Sequence, residues 1–197
     1  MTTETPAIAI VTGASQGIGR ATAELFLERG WRIVTCARGA VEAEALRHPG
    51  WVAHIPTDLS VRAETRAFVD KALEALAGAP VAALVNNAAV SPKTPFKERL
   101  GVLNGAVEQW ETVFELNFFA PLLLARGFAS DLTKTKGAVV NLTSIAGHLI
   151  HPFAGSAYSV SKSALSGLTR EMAGELGQLG IRVNAVAPGE IETAMVS

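Results

Sequence analysis

The sequence is poor in cysteine, in concentrated charge and in long apolar runs. Cys36 is the only cysteine among the 197 residues, which excludes an intramolecular disulfide and a cysteine-based zinc site and favours a reducing, intracellular compartment. The net charge of −1 leaves no basic field for nucleic acid. No apolar run is long enough to span a bilayer, and the N-terminal MTTETPAIAIVTGAS has no basic n-region or cleavage pattern. We therefore expect a soluble cytoplasmic protein without a metal site that binds neither nucleic acid nor membranes.

Length and composition indicate one domain with a large buried core. Hydrophobic residues make up 49% of the chain and charged residues only 18%, which suits a protein that buries much of its surface. No repeat, linker or low-complexity tract divides the sequence. We predict a single domain over residues 1–197.

Short runs rich in β-branched residues alternate with longer Ala-, Leu- and Glu-rich stretches. The runs are AIAIVT (7–12), RIVTC (32–36), WVAHIP (51–56), VAALVN (81–86), GAVVNLT (137–143) and IRVNAVA (181–187). Because these strands are apolar on both faces and are separated by amphipathic helices, they indicate a parallel sheet covered on each side. The prediction is a doubly wound α/β fold of at least six parallel strands in three α/β/α layers, with a surface excursion over residues 88–105.

A glycine-rich turn, TGASQGIGR, follows the first strand directly. Gly13, Gly17 and Gly19 lack the side chains that would block a ligand's phosphates, and the N-terminus of the next helix attracts anions. The spacing is G-x-x-x-G-x-G rather than G-x-G-x-x-G, and three glycines can also simply form a tight turn. The position between a strand and an Ala-rich helix favours binding of a dinucleotide's phosphates.

The end of the second predicted strand bears on which dinucleotide is bound. An acidic residue there would accept the 2′-hydroxyl of the adenosine ribose, but Ala37 takes that position and Arg38 follows it. A guanidinium can clamp a 2′-phosphate that no carboxylate repels. We therefore predict NADP as the cofactor in preference to NAD. A solvated arginine is the alternative, and Gln16 adds no second cation in the glycine turn.

Tyr158 and Lys162 lie four residues apart in YSVSK, a spacing that puts both side chains on one face of a helix. A cation about 4–6 Å from a phenol lowers the phenol pKa by roughly 1–3 units and so moves the hydroxyl towards acid/base chemistry. Without other motifs, such a pair is more often an ordinary surface contact. The rest of the sequence decides its interpretation.

Several motifs occur together with this pair and in a fixed order: TGASQGIG, NNAA (86–89), Asn117, Ser144, YSVSK and PGEIET. With them the chain resembles the single-domain branch of the short-chain dehydrogenase/reductase family over nearly its whole length. The resemblance implies a Rossmann fold and reversible hydride transfer between a nicotinamide cofactor and a ketone or secondary alcohol. It also implies a small-molecule carbonyl or alcohol substrate and assembly as a homotetramer or homodimer.

The same resemblance implies four catalytic residues. Tyr158 corresponds to the general acid in reduction and the base in oxidation, and Ser144 to a donor to the substrate oxygen. Lys162 would lower the pKa of the phenol and bind the nicotinamide ribose. Asn117 resembles the residue that disturbs its helix and holds a water joining Lys162 to solvent, and Pro121 weakens that helix independently.

Positions that match the family's cofactor-binding elements follow the predicted strands. Asp58 resembles the residue that bonds the adenine amino group, Asn86 and Ala88 match an element that steadies the central sheet, and Ala89 replaces that element's final glycine. The implied cofactor-binding set is Gly13, Ser15, Gln16, Gly17, Ile18, Gly19, Arg38, Asp58, Leu59, Asn87, Ala88, Ala89, Tyr158, Lys162, Pro188, Gly189, Ile191 and Thr193.

Several residues admit a second interpretation. Ser144 can be a cap or turn residue, with an adjacent threonine hydroxyl as a rival donor, and Asn117 can be a buried amide. Asp58 can also cap the helix that follows it. His148 and His151 are interpreted as pocket wall or loop packing rather than ligands, because no carboxylate or thiol stands near them in the sequence.

Beyond the terminal IETAMVS the family continues through a substrate loop, a helix and a seventh strand, which we expect to be lacking here. Without them most of the substrate pocket is missing, so the sequence does not identify the substrate. A second functional class also stays open, a cofactor-binding regulatory or scaffold protein without turnover. An epimerase or dehydratase of the extended branch fits less well, since the glycine spacing differs.

Overall fold

The computed structural model describes residues 6–94 and 98–191, in which six strands alternate with helices. The strands are β1 Ile8–Thr12, β2 Arg32–Ala37, β3 Trp51–Pro56, β4 Ala83–Asn86, β5 Ala138–Leu142 and β6 Arg182–Val186. The helices are α1 Gly17–Glu28, α2 Arg62–Leu76, α3 Val107–Phe114, α4 Ala120–Thr135 and α5 Ser156–Gly177. All six predicted strands are present, and each boundary lies within two residues of its predicted position.

The strands form one parallel sheet in the order β3-β2-β1-β4-β5-β6. β1 pairs with β2 on one side and with β4 on the other, so the chain order reverses between β1 and β4. At such a switch point the connections leave towards opposite faces and open a crevice at the carboxyl ends of the strands. The predicted doubly wound parallel sheet is therefore confirmed.

Alternate residues of β1 supply two hydrophobic layers, one on each face of the sheet. Ile10 is fully buried in a layer that contains Phe68 of α2 and Phe128 of α4. Val11 is buried in the other layer, with Leu27 of α1. Each large apolar side chain buried in this way contributes roughly 1.5–3 kcal/mol, so both layers hold β1 firmly beneath the crevice.

α3 and α4 are continuous through a π-helical turn, Glu115–Phe119. Pro121 stands at the start of α4 and cannot donate to the carbonyl oxygen of Asn117 four residues earlier, which weakens regular α-helical bonding at this point. The disturbance predicted near Asn117 is therefore present. The combined segment Val107–Thr135 is long and apolar enough to cross a membrane, but Phe128 and its neighbours on α4 lie in the core, which accounts for their hydropathy.

The segment after β4 is tied to the rest of the fold at two points. The backbone N–H of Val90 donates to Asn117 Oδ1 at 2.9 Å, and the Val90 carbonyl accepts from Asn117 Nδ2 at 3.1 Å. Leu100 is fully buried, and its carbonyl accepts from the backbone N–H of Ser156 at 2.7 Å. The described part of this segment forms no helix, as predicted, but it is not wholly a surface excursion.

Candidate active site

The glycine turn after β1 packs closely against the ends of β2 and β4. Gly13 has φ +67° and Gly17 has φ +56°, values that L side chains rarely adopt. The Gly13 N–H donates to the Cys36 carbonyl at 2.7 Å. A Cβ on Gly13 would lie 2.8 Å from Asn87 Nδ2 and 2.9 Å from Ala88 Cα, so glycine is required here both by conformation and by space.

Gly19 is required for the close packing of α1 and does not form part of the surface of the cleft. It is buried in the first turn of α1, where a Cβ would collide with the Gly13 carbonyl oxygen and with Asn87 Nδ2. This glycine lets α1 approach the turn and β4. It does not line the cleft, so the structure gives it a supporting role, and its contact with the cofactor stays a prediction.

The N-terminus of α1 faces the cleft with its backbone donors available. Gln16 is the N-cap, but its side chain makes no capping hydrogen bond, and the first turn contains no acidic residue. The helix dipole and these N–H groups attract an anion. Gly17 adds no side chain in front of them, so the chemistry of the turn fits the pyrophosphate of a dinucleotide.

Thr12 organises the end of β4 and was missed by the sequence reasoning. Its Oγ1 accepts from the backbone N–H groups of Asn87 and Ala88, each at 3.0 Å. Asn87 Nδ2 donates in turn to the Thr12 carbonyl at 2.9 Å and to the Gly13 carbonyl at 3.2 Å. A hydroxyl at the last position of β1, immediately before the glycine turn, was the available signal.

The far end of the cleft carries Arg38 and Asp58. Ala37 is buried at the end of β2, and Arg38 is exposed. Burial raises the pKa of the Asp58 carboxyl, but hydrogen bonds from Ser60 and the positive charge of Arg38 outweigh that effect and lower it below its ordinary value. Asp58 Oδ1 accepts from the Ser60 N–H at 2.9 Å. Because Val61 is the N-cap of α2, the alternative of Asp58 as that helix's cap is wrong.

One cleft of about 430 Å³ at the carboxyl edge of the sheet brings most predicted residues together. It is lined by Gly13, Ser15, Gln16, Gly17, Ile18, Arg38, Asp58, Leu59, Asn87, Ala88, Ala89, Ser144, Tyr158, Lys162, Pro188, Gly189 and Ile191. The lining residues that were not predicted are Ala37, Gly39, Thr57, Leu116, Leu142 and Thr143. Asn117 lies behind the cleft, and Thr193 lies outside the described residues.

Ser144 stands at the end of β5 with its hydroxyl in the cleft. Its Oγ accepts from the Ala146 N–H at 3.1 Å and caps a short 3₁₀ turn, Ile145–Gly147. The neighbouring Thr143 hydroxyl instead donates to the Val186 carbonyl at 3.1 Å. Ser144 is therefore a cap and a cleft hydroxyl at once, and its O–H proton is free to donate because its bond to Ala146 uses the oxygen as acceptor.

Lys162 is buried beneath Tyr158. Its Nζ lies 5.7 Å from the centre of the Tyr158 ring and donates to the Leu142 carbonyl at 2.5 Å. The side chain is 2% exposed, and this burial lowers the pKa of its ammonium from 10.5 to about 7. The predicted pairing of the two side chains on one helix face is present.

Burial raises the pKa of the Tyr158 phenol above its ordinary value of 10.0, and the nearby Ser144 hydroxyl only partly opposes it. The expectation that Lys162 makes this phenol acidic is therefore corrected for the cofactor-free protein. Desolvation acts on both groups and disfavours the phenolate and the ammonium alike. At neutral pH Tyr158 is protonated.

Asn117 supports the N-terminal part of α5 through a neighbouring serine. Besides its two bonds to Val90, Asn117 Nδ2 donates to Ser161 Oγ at 3.0 Å. The Ser161 hydroxyl donates to the Tyr158 carbonyl at 2.7 Å. The carboxamide is fully buried, so the alternative interpretation as a buried amide holds together with the disturbed helix. Its part in a proton path stays a prediction.

A buried polar chain fastens the middle of α5 to the sheet. Asn86 Nδ2 donates to Asn141 Oδ1 at 2.8 Å across the β4–β5 pair. Asn141 Nδ2 donates to Thr169 Oγ1 at 2.9 Å. Together with the bond from Lys162 to Leu142, this chain fixes the height of α5 over the sheet and thus the position of Tyr158.

The two histidines after β5 lie in the segment that leads to α5. His148 is exposed, and His151 Nε2 lies 3.3 Å from Glu190 Oε1. Glu190 follows Gly189, which lines the cleft. His151 thus has a carboxylate partner from a distant part of the chain, which its neighbours in the sequence did not indicate.

Known proteins are similar to this chain over nearly its whole length. A family model for short chain dehydrogenases matches residues 7–197. The protein FixR of Bradyrhizobium diazoefficiens is 50% identical over 196 residues, which cover 98% of this chain and 69% of that protein. A 3-oxoacyl-(acyl-carrier-protein) reductase of Synechocystis sp. is 33% identical over 202 residues, 99% of this chain and 78% of the reductase.

A solved structure agrees in both sequence and geometry. The crystal structure of an oxidoreductase from Brucella ovis, in complex with a partially ordered NAD, superposes with a TM-score of 0.87 at 44% identity, covering 95% of this chain and 85% of that one. In this chain, the glycine turn and the Ser144–Tyr158–Lys162 cluster lie in one cleft at the same edge of the sheet. The chain therefore belongs to the short-chain dehydrogenase/reductase family and is an NAD(P)-dependent oxidoreductase.

Proposed function

We propose that this oxidoreductase interconverts a ketone and a secondary alcohol with NADP(H), and that Tyr158 is its proton donor and acceptor. The observation that carries the proposal is the convergence of Ser144, Tyr158 and Lys162 in one cleft with the glycine turn. Bound NADP(H) supplies or accepts hydride, and the remaining steps fall to the side chains of this protein.

Each of these side chains has a distinct task. Ser144 donates its free hydroxyl proton to the substrate oxygen and holds the carbonyl beside Tyr158. Tyr158 holds its proton at neutral pH, since the ordinary phenol pKa of 10.0 lies well above neutrality and burial raises it further, and it can give this proton to that oxygen during reduction. Lys162, with a pKa of about 7, exchanges protons readily near neutrality and restores the phenol.

The preference for NADP is supported by Arg38. It lies at the cleft beside Ala37, where no carboxylate would repel a 2′-phosphate. Arg38→Asp should weaken NADPH binding roughly 10–100-fold through loss of a charged hydrogen bond and should favour NADH. Arg29→Asp, on the exposed end of α1 away from the cleft, is the control. Calorimetry that finds unchanged NADPH affinity in the Arg38 variant would overturn the preference.

The acid/base role is tested by Tyr158→Phe, which removes only the hydroxyl. We expect kcat with NADPH and a panel of small ketones to fall by roughly 10²–10⁴-fold, while the Kd for NADPH changes by no more than about 3-fold. A retained kcat would contradict the mechanism. A wild-type protein that binds NADPH but reduces no ketone would instead be a cofactor-binding protein without turnover.

The protonation state of the phenol can be measured directly. Tyr158 is the only tyrosine in the chain, so the ultraviolet absorbance of tyrosinate reports on it alone. The cofactor-free protein should titrate above pH 10.0, because burial raises this pKa. A midpoint below that value would show that the charge of Lys162 outweighs burial.

We also propose that the chain forms a homotetramer or homodimer. Half-buried aromatic side chains at Phe114, Phe118 and Phe119 leave apolar surface on the α3–α4 segment, which supports association. Light scattering of the eluted protein should give a mass of two or four chains. A monomer would contradict this proposal.

A further inference from the structure

Three charged or polar residues from separate segments contact one another beside the cleft. Arg99 comes from the segment after β4, His151 from the loop between β5 and α5, and Glu190 from the turn after β6. Arg99 Nη1 donates to the His151 carbonyl at 3.3 Å, and His151 Nε2 lies 3.3 Å from Glu190 Oε1. We call Arg99, His151 and Glu190 the mouth cluster.

The hydrogen bonds of His151 determine which ring nitrogen carries its proton. Nδ1 accepts from the Phe153 N–H at 3.3 Å, so in the neutral ring the proton is on Nε2. Nε2–H therefore points at a carboxylate oxygen of Glu190. His151 is built as a donor to an anion.

Arg99 has donors to spare. Its contact with the His151 carbonyl uses one of the five N–H groups of a guanidinium. Among the described residues no carboxylate lies within ion-pair distance of it. A guanidinium with free N–H groups binds a planar carboxylate through two parallel bonds, and the His151 ring N–H is a further donor nearby.

The mouth cluster is joined through its neighbours in the chain to elements that carry or line the candidate active site. The carbonyl of Leu100, the residue after Arg99, accepts from the N–H of Ser156 at 2.7 Å, two residues before Tyr158. Glu190 stands between Gly189 and Ile191, which both line the cleft. These two connections place the mouth cluster at the rim of the cleft that contains Tyr158.

We propose that the substrate is an oxo acid or hydroxy acid whose carboxylate binds Arg99 and His151, displacing Glu190. The inference rests on the proposed ketone/alcohol activity. Glu190 is an internal stand-in for that carboxylate: its side chain is 61% exposed and makes a single 3.3 Å contact. An exposed contact of this kind contributes little, whereas a carboxylate held by two donors gains both.

The test compares acids with their neutral carboxamides. Each of 3-oxobutanoate, 4-oxopentanoate and 4-oxocyclohexanecarboxylate is paired with its amide, and KM is measured with NADPH. For the best acid of the wild type we expect a KM roughly 10-fold or more below that of its amide. Arg99→Gln should abolish this ratio by raising the KM of the acid alone. Glu190→Gln should lower the KM of the acid about 2- to 5-fold, because the competing carboxylate is gone.

The control variant is Arg182→Gln, which removes an exposed arginine at the opposite, amino-terminal end of β6 and should leave every ratio unchanged. Equal KM values for acid and amide in the wild type, or an unaltered ratio in Arg99→Gln, would overturn the proposal. An acid KM that Glu190→Gln leaves unchanged would overturn the displacement of Glu190.

A binding measurement separates this proposal from the proposed activity. Calorimetry of the same acids and amides with the protein–NADP complex needs no turnover. Preferential binding of an acid that depends on Arg99, with no reduction of any ketone, would refute the ketone/alcohol activity and leave the carboxylate site standing. Turnover of ketones without any preference for acids would support the ketone/alcohol activity and refute the carboxylate site.

Discussion

Replacement of Lys162 by methionine should stabilise the fold at neutral pH. Burial lowers the pKa of this ammonium from 10.5 to about 7, a shift that corresponds to about 5 kcal/mol at most. Loss of the hydrogen bond to the Leu142 carbonyl destabilises the variant by roughly 1 kcal/mol, which offsets part of this gain. We therefore expect the free energy of unfolding to rise by about 2–4 kcal/mol at pH 7. The same variant should lose turnover.

The pH dependence of this gain follows from the direction of the shift. Between pH 7 and pH 10.5 the unfolded chain holds the proton and the folded protein does not, so the stability of the wild type rises with pH across this window. Below the window both states are protonated and the penalty is complete; above it neither is, and the penalty vanishes. Methionine does not titrate, so the advantage of the variant should be largest near pH 7 and shrink towards pH 10.5.

Urea unfolding followed by tryptophan fluorescence measures this difference from about pH 6 to about pH 10, at one fixed protein concentration because assembly also contributes to stability. Lys71→Met, on the exposed face of α2, is the control and should stay within about 0.5 kcal/mol of the wild type throughout. A Lys162 variant that is less stable than the wild type at pH 7, or a difference that does not change with pH, would refute the reasoning.

Two other substitutions test the packing behind the cleft. Gly19→Ala should weaken NADPH binding and cost about 1–3 kcal/mol of stability, because the new Cβ meets the Gly13 carbonyl. The control is Gly174→Ala, whose Cβ enters open space. This control should be neutral or stabilise the fold by up to about 1 kcal/mol. Calorimetry and urea unfolding that give the two variants equal effects would contradict this account. Asn117→Ala should cost about 2–4 kcal/mol, because both backbone groups of Val90 lose their partner; unaltered urea unfolding would show that Asn117 does not anchor that segment.

The strands were predictable because their signal is local. Runs such as AIAIVT and RIVTC are apolar on both faces, which occurs where helices cover a parallel sheet. The glycine turn was predictable for a similar reason, since Gly13 and Gly17 adopt a conformation that few other residues tolerate. Strand, turn and helix follow one another in the sequence, so their order was enough to predict the fold.

Contacts between distant segments were not predictable in this way. Asn141 meets Thr169, and His151 meets Glu190, across separations that no local pattern encodes. The prediction of a lowered pKa for Tyr158 was wrong for a related reason. The YSVSK spacing indicates that Tyr158 and Lys162 are close, but the burial that raises the phenol pKa depends on the packing of the whole sheet edge. Sequence spacing therefore predicted which groups meet and not how far they are desolvated.

The two anchors of the segment after β4 have a consequence for how this protein can change. Val90 is held by Asn117, and Leu100 by Ser156, so this stretch of chain has two fixed ends. Doubling the length of a chain segment whose ends are fixed costs only about 0.6 kcal/mol of closure entropy. Insertions and deletions between the anchors can therefore reshape the mouth of the cleft while Tyr158 stays in place, which lets substrate range diverge without disturbing the chemistry.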